Sequence, residues 1–497
     1  MMKAKRCIVA LLSALMFVMS TGTGTMAADV RSYYDSEVDT SLRDITNSDK
    51  IEWEKGAFVS NSDVLESQDA DDCIKTVINL TKRSLFLKAS EGYEFMVYQT
   101  VEADGVYTVK RRYSPTFVPP FGTWIQSGYF NVYPDRYYTV TVRSADGNIL
   151  NVSDAKKTLK IYEVDNANHI PEYYVDHIRE KSEIVNNLQD NENSFSFVFI
   201  TDTHVQQNAK HSFPMIKYLL NRCAINQVLG GGDWVTAWLS DAEGIYGLWD
   251  DYDELRYLFK DIPLIKTIGN HEWGYGGLNQ WNISDAQAHN RFYREDAAGD
   301  NNIVYGDKYK TYFYKDDKVN KMRYISLNCM DYPSIKDVAY EGNKTMWFDF
   351  SQEQIDWVKN VALDLPDDEW TCLAFSHVPV YTADESPWGD ASQFSNILPM
   401  RKVFSDYVKK TGDMANCKGD FIGWLSGHVH ADSMVRISNF IQVTTDGDTA
   451  MKADVHGNTR ELNAVTEQCF DVFTVNKETR TVNITRIGAG EDRSFKY

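Results

Sequence analysis

Five short stretches set carboxylates, imidazoles and an amide at close spacing. They are Asp202-Thr203-His204, Gly232-Asp233, Gly269-Asn270-His271-Glu272, His377-Val378-Pro379 and Gly427-His428-Val429-His430. A hard carboxylate beside a borderline imidazole is a transition-metal pair. Of the ten histidines, His204, His271, His377, His428 and His430 fall in these stretches. His169, His177, His211, His289 and His456 do not, and read as surface or satisfied core residues. One such stretch is ordinary turn chemistry, whereas five in succession read as a metal site. The glycines beside them let backbone and ligand approach closely.

Something must deliver each stretch to a common point. Phe195 to Ile200 alternates and then runs apolar, as a strand buried in a central sheet does. In a strand, residues i and i+2 share a face, so Asp202 and His204 converge at its carboxyl end, where open α/β sheets place ligands. The same spacing puts His428 and His430 on one strand face. Further strands are expected at 227–229, 263–268, 324–327, 372–375 and 421–425. Helices are expected at 171–188 (proline in the first turn), 214–225, 251–259, 351–363 and 401–410, and a hairpin at 470–475 and 481–487 closes the chain. This is an α/β layered domain. A polar, Gly- and Asn-rich insertion at about 272–306 and the loop Asp384 to Trp388 are expected to shape its pocket.

In their order and residue types, these motifs resemble the calcineurin-like dinuclear metallophosphoesterase family, from about Asn193 to Val443. The resemblance implies a four-layer α/β fold, a β-sandwich flanked by helices, with two metals (Fe, Mn or Zn) above the strand ends. It implies that Asp202, His204 and His430 hold one metal, that Asn270, His377 and His428 hold the other, and that Asp233 bridges them. His428 and His430 are thereby split between the metals, against the spacing argument. The chemistry implied is hydrolysis of a small phosphorylated substrate, monoester or diester, by a metal-bridging hydroxide. His271 is the motif histidine left for catalysis, stabilising the transition state or protonating the leaving oxygen; its plainer reading is a supporting structural residue. Where the serine/threonine phosphatases carry an acid and an arginine after the bridging aspartate, and purple acid phosphatases a tyrosine, this chain has Thr236 and Ala237. Support for a protein phosphatase or a ferric-phenolate centre is lost with them, and the acidic partner of His271 is left open, with Glu272 adjacent. Trp234, Trp238 and Trp273 border the motifs, as packing or as a stacking surface for substrate. Gly230 to Gly232 lacks the lysine of a P-loop and reads as room for Asp233.

At 497 residues with 43% hydrophobic content, the chain supports two domains. Residues 1–28 have a basic start, an apolar run from Cys7 to Ser20 and small residues at Ala27-Ala28, the pattern of a secretory signal peptide. Removing them removes Lys3, Lys5 and Arg6 and no acids, so the formal charge passes from −20 to −23. That balance disfavours nucleic-acid backbones and anionic membranes as primary partners, and no second run approaches membrane length. A secreted protein without a membrane span is expected. Six scattered cysteines follow the leader, with no CxxC pair; disulfides and buried free thiols both stay open.

Residues 29–165 alternate with turn signals such as Asp146-Gly147, and predict an all-β sandwich-like domain. Residues 166–192 read as a linker and helix packing on the catalytic domain at 193–497. The aromatics Trp53, Tyr93, Phe117, Phe121, Trp124 and Tyr129 are core or a glycan- or cell-wall-binding face. The rival to an enzyme is accordingly a cell-surface or glycan-binding protein in which the phosphoesterase fold is mainly scaffold.

Overall fold

The computed structural model describes residues 38–49, 51–61, 64–79, 84–109, 122–130, 136–189, 193–204, 209–235, 252–253, 255–256, 258, 262–272, 285–293, 300, 302–307, 309–331, 349–381, 397–449 and 458–497. The signal-peptide reading, Phe117, Phe121, Thr236, Ala237, Trp238, Trp273, His456 and the loop Asp384 to Trp388 lie outside the described residues.

The amino-terminal region folds as eleven antiparallel strands: β1 (Arg43–Asp44), β2 (Glu52–Lys55), β3 (Ala57–Asn61), β4 (Val64–Gln68), β5 (Cys73–Ile78), β6 (Ser84–Ala89), β7 (Tyr93–Ala103), β8 (Val106–Val109), β9 (Ser127–Phe130), β10 (Tyr137–Ser144) and β11 (Leu159–Val164). They form two sheets, ordered β1-β11-β6-β9 and β2-β5-β10-β7-β8-β4-β3. Alternating residues such as Val97, Val140, Val142, Leu85, Leu87 and Ile161 share one core between the sheets. Among the described residues of this region one helix, Val152–Thr158, interrupts the all-β pattern, capped by Asn151 accepting from the Asp154 amide.

Two further sheets build the carboxy-terminal region. One is ordered β14-β13-β12-β22-β23-β24. Its strands are β12 (Ser194–Ile200), β13 (Ile225–Gly230), β14 (Leu264–Lys266), β22 (Cys469–Asn476), β23 (Thr481–Gly488) and β24 (Arg493–Lys496). The other is ordered β15-β16-β17-β18-β19-β21-β20. It comprises β15 (Ile303–Tyr305), β16 (Phe313–Asp317), β17 (Met322–Ser326), β18 (Thr371–Phe375), β19 (Asp420–Ser426), β20 (Ser433–Ile437) and β21 (Phe440–Thr444). In the first sheet β12, β13 and β14 run parallel; in the second β17, β18, β19 and β21 do. The sheets face each other across one core, where Phe197 of β12 meets Tyr324 of β17 edge to face at 5.5 Å. Covered on both faces, β12 reads as a continuous apolar run. Trp357, Met400, Phe404 and Tyr407 from flanking helices cover the other face of the second sheet. This is the expected sandwich flanked by helices.

Local differences from the expected elements have physical causes. The helix at 209–222 (Ala209–Arg222) begins five residues before Pro214, so the proline lies inside it and removes an N–H from the ladder instead of opening the first turn. The helix at Gln352–Trp357, capped by Ser351, passes into a π-helical turn at Val358–Ala362. The closing hairpin gains a third strand, β24, paired on β23. Among the described residues no disulfide joins the six cysteines, and no helix is long and apolar enough to cross a membrane.

Candidate metal centre

The five motif stretches follow the carboxyl ends of parallel strands from both sheets. Asp202 and His204 follow β12, Asp233 follows β13, Asn270 and His271 follow β14, His377 follows β18, and His428 and His430 follow β19. Backbone bonds stitch these ends together: the Asp202 amide donates to the Gly232 carbonyl at 2.9 Å, His204 to Asp233 at 3.0 Å, and Gly427 to His377 at 2.9 Å. The His428 amide donates to Asp202 Oδ2 at 3.0 Å, tying one sheet to the other. Two glycines make the approach possible. A Cβ on Gly427 would run into Thr201 and the Asp202 carboxylate, and one on Gly269 into Asp233.

Strand alternation is not what brings the pairs together. Asp202, His204, Asp233, His428 and His430 all lie beyond their strands with positive φ, 53°, 46°, 52°, 71° and 47°. The left-handed region is sparsely used by residues with a Cβ, and its occupants gather at functional sites. The i, i+2 face argument fails for His428 and His430 for this reason. His428 Nδ1 turns to His377 Nε2 at 3.2 Å, whereas His430 Nε2 lies 3.3 Å from His204 Nε2 and 3.2 Å from Asp202 Oδ1.

Three groups result, each with its ligand atoms within 4.8 Å of one another: Asp202, His204 and His430; His204, Asp233 and His271; Asp233, His377 and His428. Asp233 lies among them. Its Oδ2 is 3.0 Å from His377 Nε2, 3.7 Å from His271 Nε2 and 3.9 Å from His204 Nε2. Ligands held about 2.1 Å from one ion stand roughly 3.0–3.4 Å apart, the spacing of the closest pairs here. His377 Nδ1 lies 2.9 Å from the Gly231 carbonyl, an arrangement that keeps Nε2 for a ligand role. Asn270 Oδ1 is buried and accepts no hydrogen bond among the described residues, so it too has acceptor capacity to offer. The donor set fits metal ions of the borderline class.

The charges agree. Burial works to raise Asp202 and Asp233, but the surrounding imidazoles, His377 first, outweigh it and hold both below the usual carboxylate range. Burial, with His271 beside it, lowers His204 to about 3, and burial lowers His271. His377 is the exception: burial would lower it, but Asp233 and Asp202 raise it to about 9. Ionised carboxylates and mostly neutral imidazoles are the ligand-competent forms.

Glu272 does not partner His271. Its Oε1 accepts from the amides of Trp234 at 2.7 Å and Val235 at 3.2 Å, and its Oε2 from Asp233 at 3.0 Å and Gly269 at 2.6 Å. One buried carboxylate thus fastens the Asp233 turn to the Gly269-Asn270 turn. The carboxylate beside His271 is Asp233, whose Oδ1 also accepts the His271 amide at 3.0 Å. Trp234 is fully buried, its Nε1 donating to the Thr267 carbonyl; it is packing, not a stacking surface. Sequence reasoning also passed over the support of His430. Two residues on, Asp432 takes a bidentate Arg486, which with Arg493 also holds Asp471. A charged pair, Asp471 and Arg486, inside otherwise uncharged β22 and β23 was the available signal.

Of the six amino-terminal aromatics, the four among the described residues do not gather on one face. Trp53 and Tyr93 pack on the sandwich core, Trp124 stacks on Arg143 at 3.8 Å, and Tyr129 is buried against His169 and His211.

Residues 195–432 match the model of the calcineurin-like phosphoesterase family. The match supports a metal-dependent phosphoester hydrolase in this part of the chain. Similar solved structures include a dimetal phosphatase from Danio rerio, 15% identical, covering 61% of this chain and 99% of that one, with a TM-score of 0.42. Phosphopantetheinyl hydrolase from Mycobacterium tuberculosis is 10% identical over 51% of this chain and 90% of that one, with a TM-score of 0.29. Vps29 from Entamoeba histolytica is 11% identical over 61% and 99%, with a TM-score of 0.22. No curated protein matches the chain.

Proposed function

We propose that the protein is a secreted hydrolase of small phosphate esters that works with two metal ions. Asp202, His204 and His430 hold one ion, Asn270, His377 and His428 the other, and Asp233 serves both. The observation that carries this reading is the convergence of these side chains from five strand ends, with Asp233 between the two histidine groups. When bound, the ions supply Lewis acidity toward phosphoryl oxygens and a nucleophile from water. The protein's own part is orientation and proton transfer. His271, anchored by its amide to Asp233, donates a proton to the departing ester oxygen. The Gly231 carbonyl fixes the His377 ring, and the Glu272 clamp fixes the Asp233 turn.

Metal identity is proposed only as Fe, Mn or Zn, the class these ligands suit. Secretion rests on residues 1–28, and mass spectrometry of the exported protein should find Asp29 at its amino terminus. The experiment for the function is hydrolysis of p-nitrophenyl phosphate and bis-p-nitrophenyl phosphate after loading with Mn, Zn or Fe. The preferred ester assigns the subclass, and absence of turnover with every metal would contradict the proposal.

A further inference from the structure

We infer that the amino-terminal β domain is a working part of the catalytic centre, acting through Ser212 and Asp448 as positioning residues for the Asp202 turn. The inference rests on the two-metal reading. One contact between the domains is made by Tyr129, at 5% exposure, on β9. Its ring meets His211 edge to face, centroids 4.4 Å apart, and its hydroxyl lies 3.0 Å from His169 Nε2. Neither ring nitrogen of His211 makes a hydrogen bond among the described residues. The ring lies between Tyr129 and Glu467, whose Oε1 is 3.5 Å from Nδ1. A buried imidazole so placed acts as a packing wedge between the domains.

His211 stands in the first turn of the 209–222 helix, and the next residue reaches toward the metal ligands. Ser212 Oγ donates to the Asp448 carboxylate, 2.8 and 3.0 Å from its two oxygens. The Asp448 amide donates to the Thr201 carbonyl at 2.9 Å, and the Thr449 amide to the Asp202 carbonyl at 3.0 Å. Gly447, between these bonds and His430, lies so close that a Cβ there would come within 3.0 Å of the Asp202 Cβ. The segment 447–449 is therefore the backing of the left-handed Asp202 turn. Tyr129, His211, Ser212 and Asp448 connect it to the β domain by direct contact at each step. Outer partners that orient ligands are typically worth 10–100-fold in metal affinity, and contacting residues in one network couple.

The test is Mn2+ titration of the full-length protein by calorimetry, with melting temperature measured in parallel. Ser212→Ala should weaken Mn2+ binding about tenfold, within the range for such outer partners. Asp448→Ala should do the same, whereas Asp448→Asn, which keeps an acceptor for Ser212, should restore most of the loss. Tyr129→Ala should weaken binding, and Tyr129→Phe, which keeps the ring on His211, should not. Combining Tyr129→Ala with Ser212→Ala should cost no more than Ser212→Ala alone. Unchanged Mn2+ affinity in Ser212→Ala, whatever its melting temperature, overturns the inference, as does full additivity in the double variant. A wild-type protein that binds no metal at all overturns instead the reading on which the inference rests.

Discussion

Replacing Glu272 with Gln separates a backbone clamp from an acid partner of His271. The carboxylate accepts four amide N–H groups, two on each oxygen, from Trp234, Val235, Asp233 and Gly269. Gln keeps one oxygen and sets an NH2 against the other two donors. Hydrogen bonds to a charged group contribute roughly 1.5–3 kcal/mol each, and a buried donor left unpaired costs about 1–3 kcal/mol. Burial and the neighbouring Asp233 raise the Glu272 pKa, so the neutral amide relieves part of the cost of keeping a charge there. A net loss of about 3 kcal/mol follows, which for a domain of this size lowers Tm by roughly 6 °C. Because the clamp joins the Asp233 turn to the Asn270 turn, kcat/KM should also fall about 10–100-fold. Differential scanning fluorimetry and steady-state hydrolysis of a p-nitrophenyl ester measure both. An unchanged Tm with loss of only one limb of the pH–rate profile would refute the clamp and return Glu272 to the role of acid partner.

Stability should fall in acid through His169, whose burial, with His211 nearby, lowers its pKa to about 4. A histidine depressed in the folded state contributes fully above its unfolded value of about 6.5 and loses that contribution as pH falls toward 4, on the order of 3 kcal/mol. His169→Gln should flatten the Tm–pH curve over that window, and a curve as steep as wild type would exclude His169 as its source. Gly427→Ala would press a methyl into Thr201 and Asp202; activity should drop about 100-fold, and a variant of normal activity would contradict the packing described. Chelation should lower Tm, since ions at 100 times their Kd stabilise by about 2.7 kcal/mol. An unaltered melting curve after EDTA would show that no ion was held.

What could be read from the sequence followed from physics local to the chain. A strand buried on both faces is a run such as Phe197 to Ile200, and the motif residues stand just past such runs, so strand ends and candidate ligands were visible together. The conformation of the turns was not. Positive φ at Asp202, His204, His428 and His430 is imposed by partners far along the chain, such as the Gly232 and Asp233 carbonyls, and no local propensity announces it. Spacing alone therefore paired His428 with His430, although they face different neighbours. The clamp of Glu272 on Asp233, Trp234 and Val235 was equally hidden, because these partners lie 37–39 residues away, and so was the pairing of Asp432 with Arg486, 54 residues apart. The β20–β21 hairpin and the third strand of the tail were missed because short strands lack enough residues to show a period.

The central claim is that Asp202, His204, Asp233, Asn270, His377, His428 and His430 form one two-metal centre. Metal content of the purified protein and of Asp233→Asn, with hydrolysis assayed on the same samples, tests it most directly. The account predicts about two ions per wild-type chain with turnover, and loss of both turnover and at least one ion in the variant. Wild-type protein that holds no ion after exposure to Mn, Zn and Fe, or an Asp233→Asn variant that hydrolyses esters at the wild-type rate, would contradict it.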